Sequence, residues 1–342
     1  YTRCNLANCH KKECNFSLCG RFDLLRKYLP DDLNSTSKDI NRLGDAKNYC
    51  SNGKSEEAEC KTEVDKINAG FIWLFEQNII NRITGFSDSK DPSGKKHKVF
   101  IIYIMLWLNF KLNQKKHAEI TEFNDFYNKY IEDNTNYTKC KKKINNDNYG
   151  DCSSSLKKNT GYTNFKEFID ENKCLMDIGI NDVSNFYDAF KSLCNMYTEL
   201  NANEKTSKKY LDCAKEFVEK YKKLLNNNDI DTEDSPYYQV FSTLSNDYNN
   251  FKSYCNKHKV NCDDIPPLPE KKTTQNPVQS FQSNSEPSSE VISPSSSITN
   301  KLIIVLSIFG AIAFFLGISY KYSLFGFRKR SQKQHLREKI KK

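Results

Sequence analysis

Nineteen consecutive residues without a charge, Leu302–Tyr320, stand near the C-terminus of a 342-residue chain. That is the length a helix needs to cross about 30 Å of hydrocarbon, where the backbone must satisfy its own hydrogen bonds. The run predicts one transmembrane helix over residues 301–321, carrying Leu302, Gly310, Gly317 and Tyr320. Arg328, Lys329, Arg330, Lys333 and Arg337 follow it directly. A positive flank stays cytosolic, so residues 322–342 are expected in the cytosol and everything upstream on the exoplasmic side. Ala313 and Gly317 form a small-xxx-small pair of the kind that could hold a weak helix–helix dimer.

The net charge of +9 is concentrated in the same place. Between Lys321 and Lys342 there are nine Lys or Arg against the single Glu338, and the rest of the chain is nearly neutral. A nucleic-acid groove needs a basic stripe on the folded part. Lys139–Lys143 and Lys220–Lys223 read as solvated faces, so no nucleic-acid partner is expected. All thirteen cysteines precede the apolar run, a density that fits an oxidising compartment with disulfides.

Upstream, helical spacing dominates. Phe22, Leu25, Tyr28 and Leu29 lie on one face ahead of Pro30. Thr62, with Asp65 three residues on, predicts a helix start, and Val64, Ile67, Phe71, Leu74, Phe75, Asn78, Ile79 and Ile83 follow at three-and-four spacing. Val99–Leu108 is apolar on all sides yet too short to span a bilayer, so Val99–Leu112 is expected to be the central core helix. Trp73 and Trp107 on these two helices are expected to pack in the core rather than to frame a ligand. Three more apolar faces run through Val183, Phe186, Phe190, Leu193, Tyr197 and Leu200; Tyr210, Ala214, Phe217, Tyr221 and Leu224; and Tyr237, Phe241, Leu244, Tyr248 and Phe251. No stretch shows sustained two-residue alternation, so the expected class is all-α without a sheet.

Among the candidate disulfide cysteines, Cys50 and Cys60 bracket one polar loop and Cys140 and Cys152 another, and both brackets could close as staples. Cys174, Cys194, Cys213, Cys255 and Cys262 follow no pairing that sequence alone decides. Cys4, Cys9, Cys14 and Cys19 recur at every fifth residue beside His10, and Cys255, His258 and Cys262 have metal-like spacing. Neither set carries the framing residues of a zinc site, so no metal is expected. Asn34 and Asn136 each begin an Asn-x-Thr glycosylation pattern.

Residues 1–18 contain no apolar run of signal-peptide type and are read as an extension before a helical unit over 19–262. Residues 263–300 turn to Pro, Ser, Thr and Gln and are expected to be a disordered stalk.

Several stretches also resemble a known family. They are CGRFDLLRKYLPDDLN from Cys19, DKINAGFIWLFEQ from Asp65, VFIIYIMLWLNFKLN from Val99, FYDAFKSLCNMYTE from Phe186, SPSSSITNKLIIVLSIF from Ser293 and YKYSLFGFRKRSQKQHLREKIKK from Tyr320. They are similar to the Plasmodium interspersed repeat (PIR) proteins, closest to the Cir/Yir/Bir forms of rodent malaria parasites. The resemblance implies a variant antigen of the blood stages, displayed on or exported toward the infected red cell, with roles in adhesion or immune evasion and ligands mostly unassigned. Residues 1–18 depart from that pattern, since family members begin close to Cys19.

These features bear on three classes of function. A binding module would meet host proteins or antibodies through the polar loops Ser51–Glu59, Ser87–Lys98, Asn145–Thr160 and Asn226–Ser235. A trafficking or membrane-structural role would use the basic tail on anionic lipid. An enzyme is not expected: there is no Gly-x-Ser-x-Gly elbow, phosphate-binding Gly loop or His-Glu-x-x-His helix, so no catalytic residue and no cofactor is assigned.

Overall fold

The apolar spacings resolve into helices in the computed structural model, which describes residues 14–50, 59–83, 95–145, 148–200 and 208–270. The expected membrane helix, the basic tail and all but the first residues of the expected stalk lie outside these. No helix among the described residues is long and apolar enough to cross a membrane.

Helix α1 spans Cys14–Arg26. After two 3-10 turns, Ile40–Arg42 and Gly44–Tyr49, α2 runs over Glu63–Phe75 and continues through the π-helical turn Glu76–Ile80 into α3, Asn81–Ile83. Thr62 caps α2 by a reciprocal pair: its hydroxyl accepts from the Asp65 amide at 3.1 Å, and its own amide donates to the Asp65 carboxylate at 2.7 Å. Then follow α4 (Lys95–Asn113), α5 (Phe123–Phe126, extended by a π-helical turn Tyr127–Ile131) and α6 (Thr135–Thr138). A short hairpin of β1 (Lys141–Asn145) and β2 (Asn148–Asp151) leads to α7 (Ser153–Thr160), which ends at Gly161 with φ +90°, a conformation that suits only glycine well. Helices α8 (Phe165–Asn172), α9 (Ile180–Glu199), α10 (Lys209–Leu224) and α11 (Pro236–Lys257) complete the described chain.

The hairpin departs from the all-α expectation. Its strands pair antiparallel from Lys141 opposite Asp151 to Asn145 opposite Asn148, with an irregularity between Lys143 and Asn145. The strands lack apolar alternation because they bury no face. They form because the disulfide Cys140–Cys152 holds their outer ends together.

Helix α4 is the core element. Each residue from Phe100 to Leu108 is at most 3% exposed. It packs against α2, α8 and α9, and α9 in turn carries α1, α10 and α11. Gly70 lets α2 approach closely, since a Cβ there would lie 2.9 Å from the Leu29 side chain and 3.1 Å from the Trp107 ring. Both tryptophans are buried. Two polar side chains that α4 brings into the core are paired: Tyr103 donates to Asp247 at 2.7 Å, and the Asn109 amide donates to the carbonyls of Leu175 and Ile178.

The turn after α1 is tied into the same core by charge. Asp31 accepts from Arg26 and from the Tyr187 hydroxyl, each at 3.1 Å, and lies 3.5 Å from the Lys111 ammonium. Lys111 also donates to the Pro30 carbonyl at 2.5 Å. Burial pushes this lysine down, and the nearby Asp31 carboxylate opposes that.

Packing extends beyond residues 19–262 in both directions. Leu18 is fully buried, so α1 begins inside the segment read as an extension. At the other end, Ile265 is buried and Tyr248 donates to the Pro266 carbonyl at 2.6 Å, which seats the first residues of the expected stalk against α11.

Cys19 on α1 is bonded to Cys194 on α9 across 175 residues, and Cys255 to Cys262 across 7. The unfolded chain loses more entropy when the longer loop is closed, about 5 kcal/mol against about 2.5 kcal/mol in the chain-entropy account. Replacing Cys19 and Cys194 together by Ala should therefore lower the denaturation midpoint about twice as far as replacing Cys255 and Cys262, in a chemical melt of the oxidised chain. Equal losses would contradict this ranking.

Candidate functional site

The ends of the first polar loop proposed from sequence and the hairpin that leads into the third meet at the turn Gly44–Tyr49. Cys50 and Cys60 are bonded to each other and hold the ends of the first loop beside the turn Gly44–Tyr49 and the start of α2. Residues 51–58 between them lie outside the described chain. The hairpin docks on the same turn, where the Lys143 ammonium meets both Asp45 carboxylate oxygens at 2.9 and 3.0 Å. Helix α7, within the third loop, packs on α3 and α4, and the second loop has its last four residues, 95–98, in α4 and the rest outside the described chain. The fourth loop lies elsewhere: its turn Asn228–Asp231 rests against α11.

The hairpin carries two of the four large hydrophobic side chains that stand exposed among the described residues. Ile144 is 64% exposed and Tyr149 37%, the others being Leu33 and Ile180. Ile144 sits at the irregularity of the ladder, and its side chain lies over Gly150, where a Cβ would come within 2.8 Å of it. Lys141 and Lys142 stand on the same strand, and Asp45 holds the Lys143 ammonium charged above the usual lysine range. An apolar pair beside basic side chains on a covalently closed hairpin is the kind of surface that can take a partner with little further ordering.

Beneath the hairpin a buried polar network stiffens its base. The Tyr49 hydroxyl donates to Glu76 at 2.7 Å, Asn68 donates to the Tyr49 carbonyl at 2.8 Å, and the Tyr137 hydroxyl donates to Asn68 at 2.6 Å. Burial pushes the Glu76 carboxyl up; the Tyr49 hydroxyl works against this, and the Asp45 carboxylate adds to it.

The remaining sequence candidates are placed as follows. Cys174 is disulfide-bonded, and the Cys255–Cys262 bond uses both sulfurs of the metal-like run, with His258 packed on the Tyr254 ring at 4.4 Å. Cys213 corrects the expectation that it pairs: its thiol is free and half-buried on α10. The residue lies beside the buried face of Tyr210, Ala214 and Phe217, and Cys194 on the adjoining helix is already bonded to Cys19. Burial and then the carboxylates of Glu199, Glu216 and Asp212 push the Cys213 thiol up, which leaves it a poor nucleophile. Among the described residues no cluster of His, Cys, Asp and Glu is arranged to hold a metal ion. Asn34 is exposed, whereas Asn136 is half-buried within α6. Leu302, Gly310, Gly317, Tyr320 and the basic positions Arg328, Lys329, Arg330, Lys333 and Arg337 lie outside the described residues.

Sequence reading missed the hairpin as a structured element. The available signal was a polar, Asn-rich stretch, Asn145–Asn148, midway between two cysteines twelve apart.

The profile described as Plasmodium variant antigen protein Cir/Yir/Bir matches residues 19–321. The fold is similar to that of a solved Plasmodium PIR protein ectodomain, with a TM-score of 0.55 and 32% sequence identity, covering 75% of this chain and 98% of that one. No curated protein matches the chain.

The state of Glu76 gives a pH test. Its proton is held more tightly in the fold than in the unfolded chain, so its contribution to stability is full below the ordinary carboxylate range and is lost as pH rises through the raised folded value. Glu76→Gln keeps an acceptor for Tyr49 without the buried charge. The variant should be more stable than the parent at about pH 7, with the gap shrinking toward about pH 4. Urea midpoints at both pH values read the difference, and equal midpoints at the higher pH would refute it.

Proposed function

Because the chain belongs to the Plasmodium variant antigen family Cir/Yir/Bir, we propose that its helical unit is a recognition module held outside a membrane, which meets host proteins or antibodies through the hairpin surface. Residues 302–320 cross the bilayer once, the Pro- and Ser-rich segment before them is the spacer, and Arg328–Arg330 with Lys333 and Arg337 keep the tail in the cytosol. The observation that carries the reading is the exposure of Ile144 and Tyr149 on a hairpin closed by Cys140–Cys152 and docked through Lys143 on the turn that leads into the Cys50–Cys60 loop. A rigid helical core under such loops lets their sequences change without unfolding the protein, as antigenic variation requires. The disulfides of the helical unit suit the oxidising side of the membrane.

The basic tail supports a second reading, in which the protein stays inside the infected cell and grips anionic lipid or cytoskeleton. Protease added to intact infected cells separates the two. Trimming of the helical unit, with the apolar segment retained in the carbonate-washed membrane fraction, is the result expected for display outside; an untouched chain means an internal protein. For the contact itself, the chain is screened against host cell-surface proteins and the binder is titrated with Ile144→Asp and Tyr149→Ala. Loss of two anchor side chains should weaken binding at least about thirtyfold, an effect of about 2 kcal/mol. A binder indifferent to both changes would move the contact elsewhere.

A further inference from the structure

On the part of the chain that the hairpin surface does not use, a cleft of about 490 Å³ opens between α10, α11 and the terminal segment. That volume is within the range of small-ligand sites. Its floor is aromatic: Tyr221 and Phe241 stack at 4.6 Å between ring centroids, and Tyr238 stands half-buried beside them. Ser245 and Asn249 add neutral polar groups to the lining. The walls carry Asp231, Glu233 and Glu270, and among the described residues no Lys, Arg or His lines the cleft. Glu233 and Glu270 are exposed and make no hydrogen bond or ion pair with another described residue.

The surrounding parts hold this shape in place. Asn227 caps the turn Asn228–Asp231, Ile230 is buried under it, and Ser235 caps α11. On the far wall, the Tyr248 bond to Pro266 and the packing of Leu268 on the core seat the segment that ends in Glu270. The electrostatics are unusual for a chain of net positive charge: between Lys223 and Lys252 there is no basic residue, while Asp229, Asp231, Glu233, Asp234 and Asp247 all fall there.

We propose that this cleft binds a cationic side chain, arginine or lysine, presented by an extended segment of a partner polypeptide. Aromatic faces attract a cation through their quadrupole, and carboxylates around them fix its position. Several carboxylates spread along an open cleft suit a segment with more than one positive side chain better than a single small cation. A phosphocholine headgroup fits poorly, because its phosphate would have to sit within a few ångströms of the same carboxylates. The site shares no residue with the hairpin surface, so the two can fail separately.

The test is a fluorescence-anisotropy titration of the full chain in detergent solution with a dye-labelled peptide Gly-Arg-Gly-Lys-Gly-Arg. Saturable binding is expected. Tyr238→Ala should weaken it about fivefold, the loss of one cation–π contact, and Glu233→Gln with Glu270→Gln should weaken it further. Glu132→Gln, at an exposed acid elsewhere on the surface, should leave it unchanged. The exposed carboxylate variants keep the comparison valid if Tyr238→Ala disturbs folding. No saturation overturns the proposal. So does binding that falls with the carboxylates or with Glu132 but ignores Tyr238, which describes a diffuse acidic surface, or cleft-dependent binding of phosphatidylcholine vesicles in place of the peptide.

Discussion

A helix with nine successive residues out of water must be walled on every side, and α4 is such a helix. Its neighbours supply that wall: α2 and α8 by their aromatic faces, α9 along its length, and the turn Lys173–Asp177 by backbone carbonyls that receive Asn109. Each large side chain fully buried there contributes about 1.5–3 kcal/mol relative to solvent exposure, so the helix orders the whole unit around itself. The two polar handles it brings inside, Tyr103 and Asn109, would each cost free energy if unpaired. Their fixed partners on α11 and after α8 therefore select one arrangement of the neighbours over others.

Around this core the chain is tied at two ranges. Short disulfides close loops at the surface, at Cys50–Cys60, Cys140–Cys152 and Cys255–Cys262, where they hold ends together whatever lies between them. The long bond Cys19–Cys194 and the Asp31 cluster act in the interior, joining the first helix to the ninth and the turn after α1 to α4. This division separates what must stay constant from what can vary. Interior ties maintain the packing, and the staples fix the ends of the loops they close, a useful property in a family of variant antigens.

Both proposed contacts use side chains that the core does not need. The hairpin shows the pattern: its strands bury no face, yet the staple at its base and the Lys143–Asp45 contact hold Ile144 and Tyr149 out toward solvent. The cleft beside α11 follows the same logic with opposite charge, its aromatic floor supported by the stacked Tyr221 and Phe241 and its acidic rim left facing outward.

The helices were legible in the sequence by itself, because a 3.6-residue apolar period is a local property: Phe186, Phe190, Leu193 and Tyr197 declare a buried face before any neighbour is known. The Thr62–Asp65 cap is local for the same reason, as are the two staples whose cysteines lie only ten and twelve residues apart. Only the tertiary structure decided that Cys19 meets Cys194, that Cys213 is left unpaired, that Asp31 gathers Arg26, Tyr187 and Lys111, and that Leu18 and Ile265 belong to the core. Those outcomes depend on how whole helices pack across a hundred residues or more, or on a neighbour that covers an otherwise polar stretch. The hairpin also belongs with them, since its Lys- and Asn-rich strands have no apolar alternation and are ordered by what clamps their ends.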